Sequence, residues 1–392
     1  MLKNLFKCTL LCTVAAAMIL HNSTLVLAQQ AEPAAIMVNT DIPAKSAILI
    51  EPMSGKVLYE KNADERMPPA SITKIMTLLL VMEALDEGRL KLEDTVTCSP
   101  HASSMGGSQI WFEPGEQMTV HELIKATAVA SANDASVALG EKIAGSEEGF
   151  VAMMNRRAGE LGMANTEFRN ATGLDADSHL TTARDIATMG AELLKHPKIK
   201  EYTTIWMDSL RNGETQLVNT NRLIRFFEGA TGLKTGTTDG AGHCLCTSAE
   251  RNGLQLVAVV LGCETGDKRF AAARTLLEYG FANFEMQNVP EPETPFEPIA
   301  VKGGAARSVE VKSLAPDKML AEKDGNKKLT QQVKLIPELT APVTEGQNVG
   351  SVVVMHDGVV VCSYDLAAAA SVAEMTFKTA FDMTLAELTR LC

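Results

Sequence analysis

From residue 46 onward the spacing of apolar and polar positions changes several times, and each change marks an element. "SAILIEPMSGKVLYEKNADE" (46–65) holds two apolar runs around a Ser54-Gly55 turn signal, which predicts a β-hairpin. Pro68 and Pro69 suit the approach to a helix but not its interior. The helix they introduce continues as "IMTLLLVM", apolar on all sides, and is therefore predicted to lie in the core. Between about 70 and 210 the period is mostly 3.6, in "TVHELIKATAVA" (119–130), "DASVALGEKIAG" (134–145), "GFVAMMNRRAGELGM" (149–163) and "TARDIATMGAELLKHP" (182–197). Strands return over 231–263, where Asn252-Gly253 is a strong hairpin signal, and "RFAAARTLLEYGFANF" (269–284) closes the stretch as an amphipathic helix. Strands at both ends of a helical insert predict one sheet assembled from distant segments, with helices packed beside it.

Four prolines in "VPEPETPFEP" (289–298) mark a linker. Alternating Val- and Gly-rich segments over 299–370 predict a small all-β domain, in which no catalytic constellation is visible. A last helix is expected over 371–392. In it Phe377, Phe381, Thr384, Leu385, Leu388 and Leu391 fall on one face by their 3–4 spacing. Such a helix is too polar to span a membrane but can lie in its interface, so the expected partner is a membrane surface. The competing reading is a helix docked on the β-domain. The expected organisation is a signal segment 1–28, a linker 29–45, a catalytic domain 46–288, a β-domain 299–370 and the helix 371–392.

The signal reading rests on Lys3 and Lys7, an apolar stretch over 8–20 and "VLA" at 26–28, the pattern of a cleaved secretory peptide. The apolar stretch is short of the roughly 20 residues a spanning helix needs. An exported protein at the outer face of the cytoplasmic membrane or in the cell wall is the expectation. The net charge is −12, and the signal segment carries two lysines and no acids, so nucleic acid is not an expected partner. Hydrophobic residues at 46% and charged residues at 21% fit a globular chain with a real core. The cysteines outside the signal are scattered and do not form a disulfide framework. "HCLC" (243–246) raises a metal question, but Cys244 and Cys246 share one face of a strand and no second ligand pair completes a set; no metal and no cofactor are expected.

The chemistry begins at "PPASITK". Ser71 and Lys74 are one helical turn apart and project together. A lysine desolvated at the head of a buried helix has its pKa pushed down and can act as a base, and a serine hydroxyl needs one to become a nucleophile. A second element is "SAN", Ser131 and Asn133, which place a hydroxyl and an amide two residues apart; read blandly, Asn133 and Asp134 simply cap the next helix. A third is Lys234-Thr235-Gly236, a charge, a hydroxyl and a side-chain-free position where substrate backbone can approach the strand.

S-x-x-K, S-x-N and K-T-G in that order are the set of class A β-lactamases and penicillin-binding proteins. The chain resembles the low-molecular-mass penicillin-binding proteins that act as serine D-alanyl-D-alanine carboxypeptidases, closest to those of Firmicutes-type bacteria. The likeness extends to "GGSQIWFEPGEQMTVHELIKA", "NATGLDADSHLTTARDIA", "NTNRLI" and "TGLKTGTTDGAGH". It implies an α/β (α+β) penicillin-binding/β-lactamase-like domain whose antiparallel sheet is flanked by helices. It also implies Ser71 as acylated nucleophile, Lys74 as base, Ser131 as proton shuttle and Asn133 as holder of the acyl peptide. Lys234 would supply field, while Thr235 and Arg269 would bind the substrate carboxylate. Amides at Ser71 and Thr237 would form the oxyanion hole. Thr237 stands where some members carry His, and Ser136 where some carry Cys. The implied substrate is a peptidoglycan stem peptide ending in D-Ala-D-Ala, with β-lactam antibiotics as covalent inhibitors.

Two rivals remain. A class A-like β-lactamase needs a carboxylate base for deacylation, which "EFRN" offers superficially in Glu167, though the segment around it looks like the carboxypeptidase one. A non-catalytic peptidoglycan-binding protein would not need the intact triplets.

Overall fold

The computed structural model describes residues 41–292, 294–323 and 329–381. The signal segment, most of the predicted linker and residues 382–392 of the predicted last helix lie outside them.

The catalytic region is organised by a five-stranded antiparallel sheet built from both ends of a long insert. Its strands are β1 (Ser46–Glu51), β2 (Lys56–Lys61), β3 (Ala230–Thr238), β4 (Gly242–Arg251) and β5 (Leu254–Cys263), in the order β2-β1-β5-β4-β3. The turns carry the chemistry the sequence promised. Gly55 is left-handed between β1 and β2, and Glu51 accepts the amides of Met53 and Ser54. Asn252 and Gly253 are both left-handed between β4 and β5, as a type I′ turn requires.

Side-chain alternation buries both faces of this sheet. Ile48 and Ile50 of β1, with Val257, Val259 and Leu261 of β5, join the core under the insert helices. Ala47 and Leu49, with Leu256, Ala258 and Val260, join a second core against the closing helix. That double burial is why "LQLVAVVLGC" reads as a continuous apolar run rather than an alternating one.

The helices are α1 (Lys74–Asp86), α2 (Asn133–Ala144), α3 (Glu147–Glu160), α4 (Ala183–Leu194) and α5 (Gly266–Asn283). α1 is buried nearly all round, including Lys74, Thr77 and Met82, as its unbroken apolar sequence predicts. Hydroxyl caps start α3, α4 and α5 at Ser146, Thr182 and Thr265. α5 lies on the opposite side of the sheet, held by Ala272, Ala273, Leu276 and Leu277, with Leu223 and Phe227 in the same core. Each such side chain taken from water stabilises the fold by about 1.5–3 kcal/mol for the larger ones.

Three expected boundaries move. Phe284–Asn288, expected within the catalytic domain, pairs antiparallel with Lys318–Glu322 of the β-rich region. The prolines of 289–298 therefore mark a loop after the first strand of that region. At the other end, Val372 is buried and bridges to Val343, and Glu374 bridges to Gly304, so 371–376 continue the β-domain. The helix begins only at Phe377, where the Thr376 hydroxyl accepts the Thr379 amide at 3.1 Å. Phe377 and Phe381 are exposed. Residues 41–45, expected as linker, already contribute Ile42 and Ala44 to the second core. The β-domain itself is built on a four-stranded sheet around Asn348–His356 and Val359–Ala368, with Val349, Val352, Val354 and Leu366 inside.

Candidate active site

Ser71 sits in a single 3₁₀ turn, Ala70–Thr73, and α1 starts immediately after it at Lys74. Ala70 is forced to a φ of 48°. The room for this turn comes from two glycines far away in sequence. A Cβ on Gly173 would lie 1.8 Å from the Ala70 carbonyl oxygen. One on Gly236 would lie within 2.9–3.1 Å of Ala70 Cβ, the Pro69 carbonyl and the Ser71 amide. The missing side chain of Gly236 thus admits the nucleophile turn, a packing reason beside the expected approach of substrate backbone.

Lys74 is fully buried, and its Nζ stands 3.0 Å from Ser71 Oγ, 2.6 Å from Asn133 Oδ1 and 2.7 Å from the Thr172 carbonyl. Burial pushes its pKa well below the ordinary lysine value; the Lys234 ammonium adds to the effect and Asp134 partly opposes it. A neutral amine has two hydrogens and one lone pair. Nζ donates to Ser71 Oγ, Asn133 Oδ1 and the Thr172 carbonyl; once neutral, it can keep its two hydrogens on Asn133 and Thr172 and turn its lone pair to the Ser71 hydroxyl. That is the arrangement a serine nucleophile and its base require.

Ser131 is positioned by a device the sequence hides. The helix Val120–Lys125 widens into a π-turn, Ala126–Ala130, and ends with Ser131 in the left-handed region at φ 64°. Asn133 then opens α2 as its first residue without capping it. Its side chain instead bonds Lys74 through Oδ1 and donates from Nδ2 to the Gly106 carbonyl at 2.6 Å. The capping alternative thus fails for Asn133, because both ends of its amide are committed across the cleft. Ser136 turns inward, its hydroxyl donating to the Ala132 carbonyl at 2.6 Å.

β3 is the edge strand of the sheet, and its K-T-G run faces the Ser71 turn. Lys234 is buried, donates to the Thr235 carbonyl at 3.0 Å, and has its pKa pushed down to about 7, first by burial and then by Arg269. Thr235 Oγ1 donates to Thr220 Oγ1 at 2.7 Å, so a ligand carboxylate competes for that donor. Thr237 is exposed at the strand edge. Arg269 reaches it from α5, behind the sheet. Its Nη1 donates to Thr237 Oγ1 at 3.1 Å, to the Gly236 carbonyl at 3.1 Å and to the Cys244 carbonyl at 3.3 Å. One nitrogen of Arg269 is thus spent on holding the strand edge. Nε of Arg269 is buried without a partner. Among the described residues neither Lys234 nor Arg269 has a carboxylate beside it. Buried cations left unpaired favour an anion at this edge.

Several contributors escaped the sequence reading. The Thr172 carbonyl, the Gly106 carbonyl and Gly173 act through backbone or packing, for which residue type gives little signal, and the Thr220 hydroxyl acts only through its place beside Thr235. "NATGL" and "NTNRL" were visible only as segments. Glu167 is not a rival base. It pairs with Arg169 at 2.5 Å near the surface, on a segment bridged to Leu180. Cys244 and Cys246 are buried thiols, and no metal-holding cluster occurs among the described residues.

Residues 29–265 match the D-alanyl-D-alanine carboxypeptidase family, and residues 284–374 match the penicillin-binding protein 5 C-terminal domain. D-alanyl-D-alanine carboxypeptidase DacF of Bacillus subtilis is 43% identical over 351 residues, which cover 88% of this chain and 90% of that protein. DacC of Escherichia coli is 38% identical over 319 residues, 79% of this chain and 80% of that one. Among solved structures, penicillin-binding protein 5 from Haemophilus influenzae superposes with a TM-score of 0.79 at 31% identity, covering 86% of this chain and all of that one. Ampicillin-bound penicillin-binding protein D2 from Listeria monocytogenes gives a TM-score of 0.57 at 35% identity over 62% of this chain and 99% of that one.

Proposed function

Because the chain belongs to the D-alanyl-D-alanine carboxypeptidase family, we propose that the Ser71–Lys74 pair carries out that family's hydrolysis through an acyl-enzyme. The observation that carries this reading is the buried Lys74 amine, 3.0 Å from Ser71 Oγ and held by Asn133 and the Thr172 carbonyl. The Ser71 oxygen attacks the carbonyl of the penultimate D-alanine of a peptidoglycan stem peptide, and Lys74 takes the hydroxyl proton. The amides of Ser71 and Thr237 hold the oxyanion. Ser131, whose hydroxyl has no bond to other described residues, passes a proton to the nitrogen of the departing D-alanine. Water then cleaves the ester to regenerate Ser71. Asn133 keeps Lys74 in place and presents its amide to the acyl peptide. Lys234, Thr235, Thr237 and Arg269 form the anion-binding end of the cleft, where the terminal carboxylate lands. A β-lactam carries a similarly placed carboxylate and acylates the same serine. The test is a pentapeptide ending in D-Ala-D-Ala: free D-alanine should appear. Rapid penicillin turnover without D-alanine release would favour a β-lactamase instead.

Arg269→Ala should lose roughly ten- to hundredfold in kcat/KM, the worth of a charge-assisted bond of about 1.5–3 kcal/mol. The loss should fall mainly on KM, should be smaller for β-lactam acylation, and should be partly rescued by Arg269→Lys. Equal turnover of amidated and free-acid substrates by the unaltered enzyme would contradict the assignment.

The enzyme's working place is outside the cytoplasm, at the cell wall, with the C-terminal residues holding it to a membrane surface. Exposed Phe377 and Phe381 and the apolar spacing that follows them in sequence support this. No described helix is long and apolar enough to cross a membrane. A cut at Ala370 would remove buried Val372, so the informative chain ends at Thr376. It should leave the membrane fraction and ignore liposomes while keeping activity on a soluble peptide. A full-length mature protein that already ignores liposomes would favour docking on the β-domain.

A further inference from the structure

Trp111 is one of two tryptophans in the chain, and it is 75% exposed on a backbone held at φ 57°. A bulky side chain rarely adopts that region, and a large indole rarely faces water. Its neighbours show how it is kept there. The buried Asp134 carboxylate accepts the amides of Ile110 at 3.1 Å and Phe112 at 3.0 Å. Arg211, fixed by Glu116, donates to the carbonyls of Ile110 at 2.9 Å and Trp111 at 3.2 Å. Ile110 and Phe112 are buried on either side. The residues flanking Trp111 are anchored and the indole alone is turned outward.

The same loop frames the catalytic cleft. The Gly106 carbonyl accepts Asn133 Nδ2 and the Ser108 carbonyl accepts the Asn133 amide. Asp134, which clamps Trp111, is the next residue along α2. An aromatic side chain on an anchored backbone beside a cleft binds with little ordering cost. Its surroundings select the chemistry of the occupant. Glu113 is exposed two residues away, Arg211 is committed to Glu116, and the chain carries −12 overall, all of which disfavour an anion. A neutral ring with one CH-rich face and peripheral hydroxyls matches an indole flanked by polar side chains.

We propose that Trp111 is a platform on which an N-acetylated pyranose ring of the glycan strand stacks, so that stem peptides attached to glycan are preferred over free peptides. The inference rests on the carboxypeptidase reading and extends it to the polymer. The test compares kcat/KM for an acetylated tripeptide ending in D-Ala-D-Ala with that for a disaccharide-linked pentapeptide. Trp111→Ala should lower the glycan-to-peptide ratio about tenfold, through KM, and Trp111→Phe should restore most of it. An unchanged ratio overturns the proposal. A second measurement does not depend on turnover: Ser71→Ala protein titrated with a peptide-free tetrasaccharide should shift its tryptophan emission, and Ser71→Ala/Trp111→Phe should not. Absence of the shift in the first protein also overturns the platform. Failure of the unaltered enzyme to release D-alanine from either substrate would instead sink the carboxypeptidase reading, and the emission titration would still decide the stacking.

Discussion

Ser71→Ala should abolish D-alanine release and covalent labelling by a fluorescent penicillin, a loss on the order of 10⁴–10⁶-fold in turnover, as for nucleophile removal in other serine hydrolases. The physical ground is that, among the described residues, Ser71 supplies the hydroxyl bonded to Lys74. The fold should survive, since the Ser71 side chain is half-buried and its one side-chain contact is Lys74. An unchanged unfolding temperature with labelling lost is the expected pair of results. Labelling that persists in the variant would remove Ser71 from the mechanism.

Lys74 carries the second large effect. Lys74→Ala should cost roughly 10²–10⁴-fold in acylation, the range for a positioned general base. Lys74→Arg should be as inactive, because a guanidinium keeps its proton and cannot accept one from Ser71. Retention of charge without activity separates a base from an electrostatic support; an active Lys74→Arg enzyme would overturn the assignment. The pH profile supplies the sign. Lys74 must be neutral, and burial lowers its pKa, so kcat/KM should rise with pH as its proton leaves. Lys234 must be charged to meet a carboxylate, and its pKa lies near 7 in the free enzyme, so kcat/KM should fall above that value as it deprotonates. Lys234→Arg should flatten that alkaline limb, which kcat/KM measured across pH on one peptide would show.

Legibility in the sequence followed the range of the signal. Gly55 and the Asn252-Gly253 turn were readable because a left-handed backbone selects residue type locally. α1 was readable because burial on all sides removes polar residues from every face. The ends of the β-domain were less so. Phe284–Asn288 follows α5 without a break and has five residues only, so nothing local says that its partner is Lys318–Glu322.

The sequence by itself determined which groups are candidates to react. Ser71 and Lys74 had to share a face at their spacing, and S-x-N and K-T-G placed an amide, a hydroxyl and a charge on two further elements. The tertiary structure alone decided what those groups are able to do. Lys74 is poised to act as a base because packing buries it completely, while the Thr172 carbonyl, 98 residues on, and Asn133, 59 residues on, hold its nitrogen beside Ser71. Gly236 is a glycine because Ala70 and Ser71 come to rest against it, and Arg269 supports Thr237 from the opposite face of the sheet. Desolvation and converging carbonyls arise from packing between distant segments. A carbonyl belongs to every residue alike, so no choice of side chain along the chain announces where it will point.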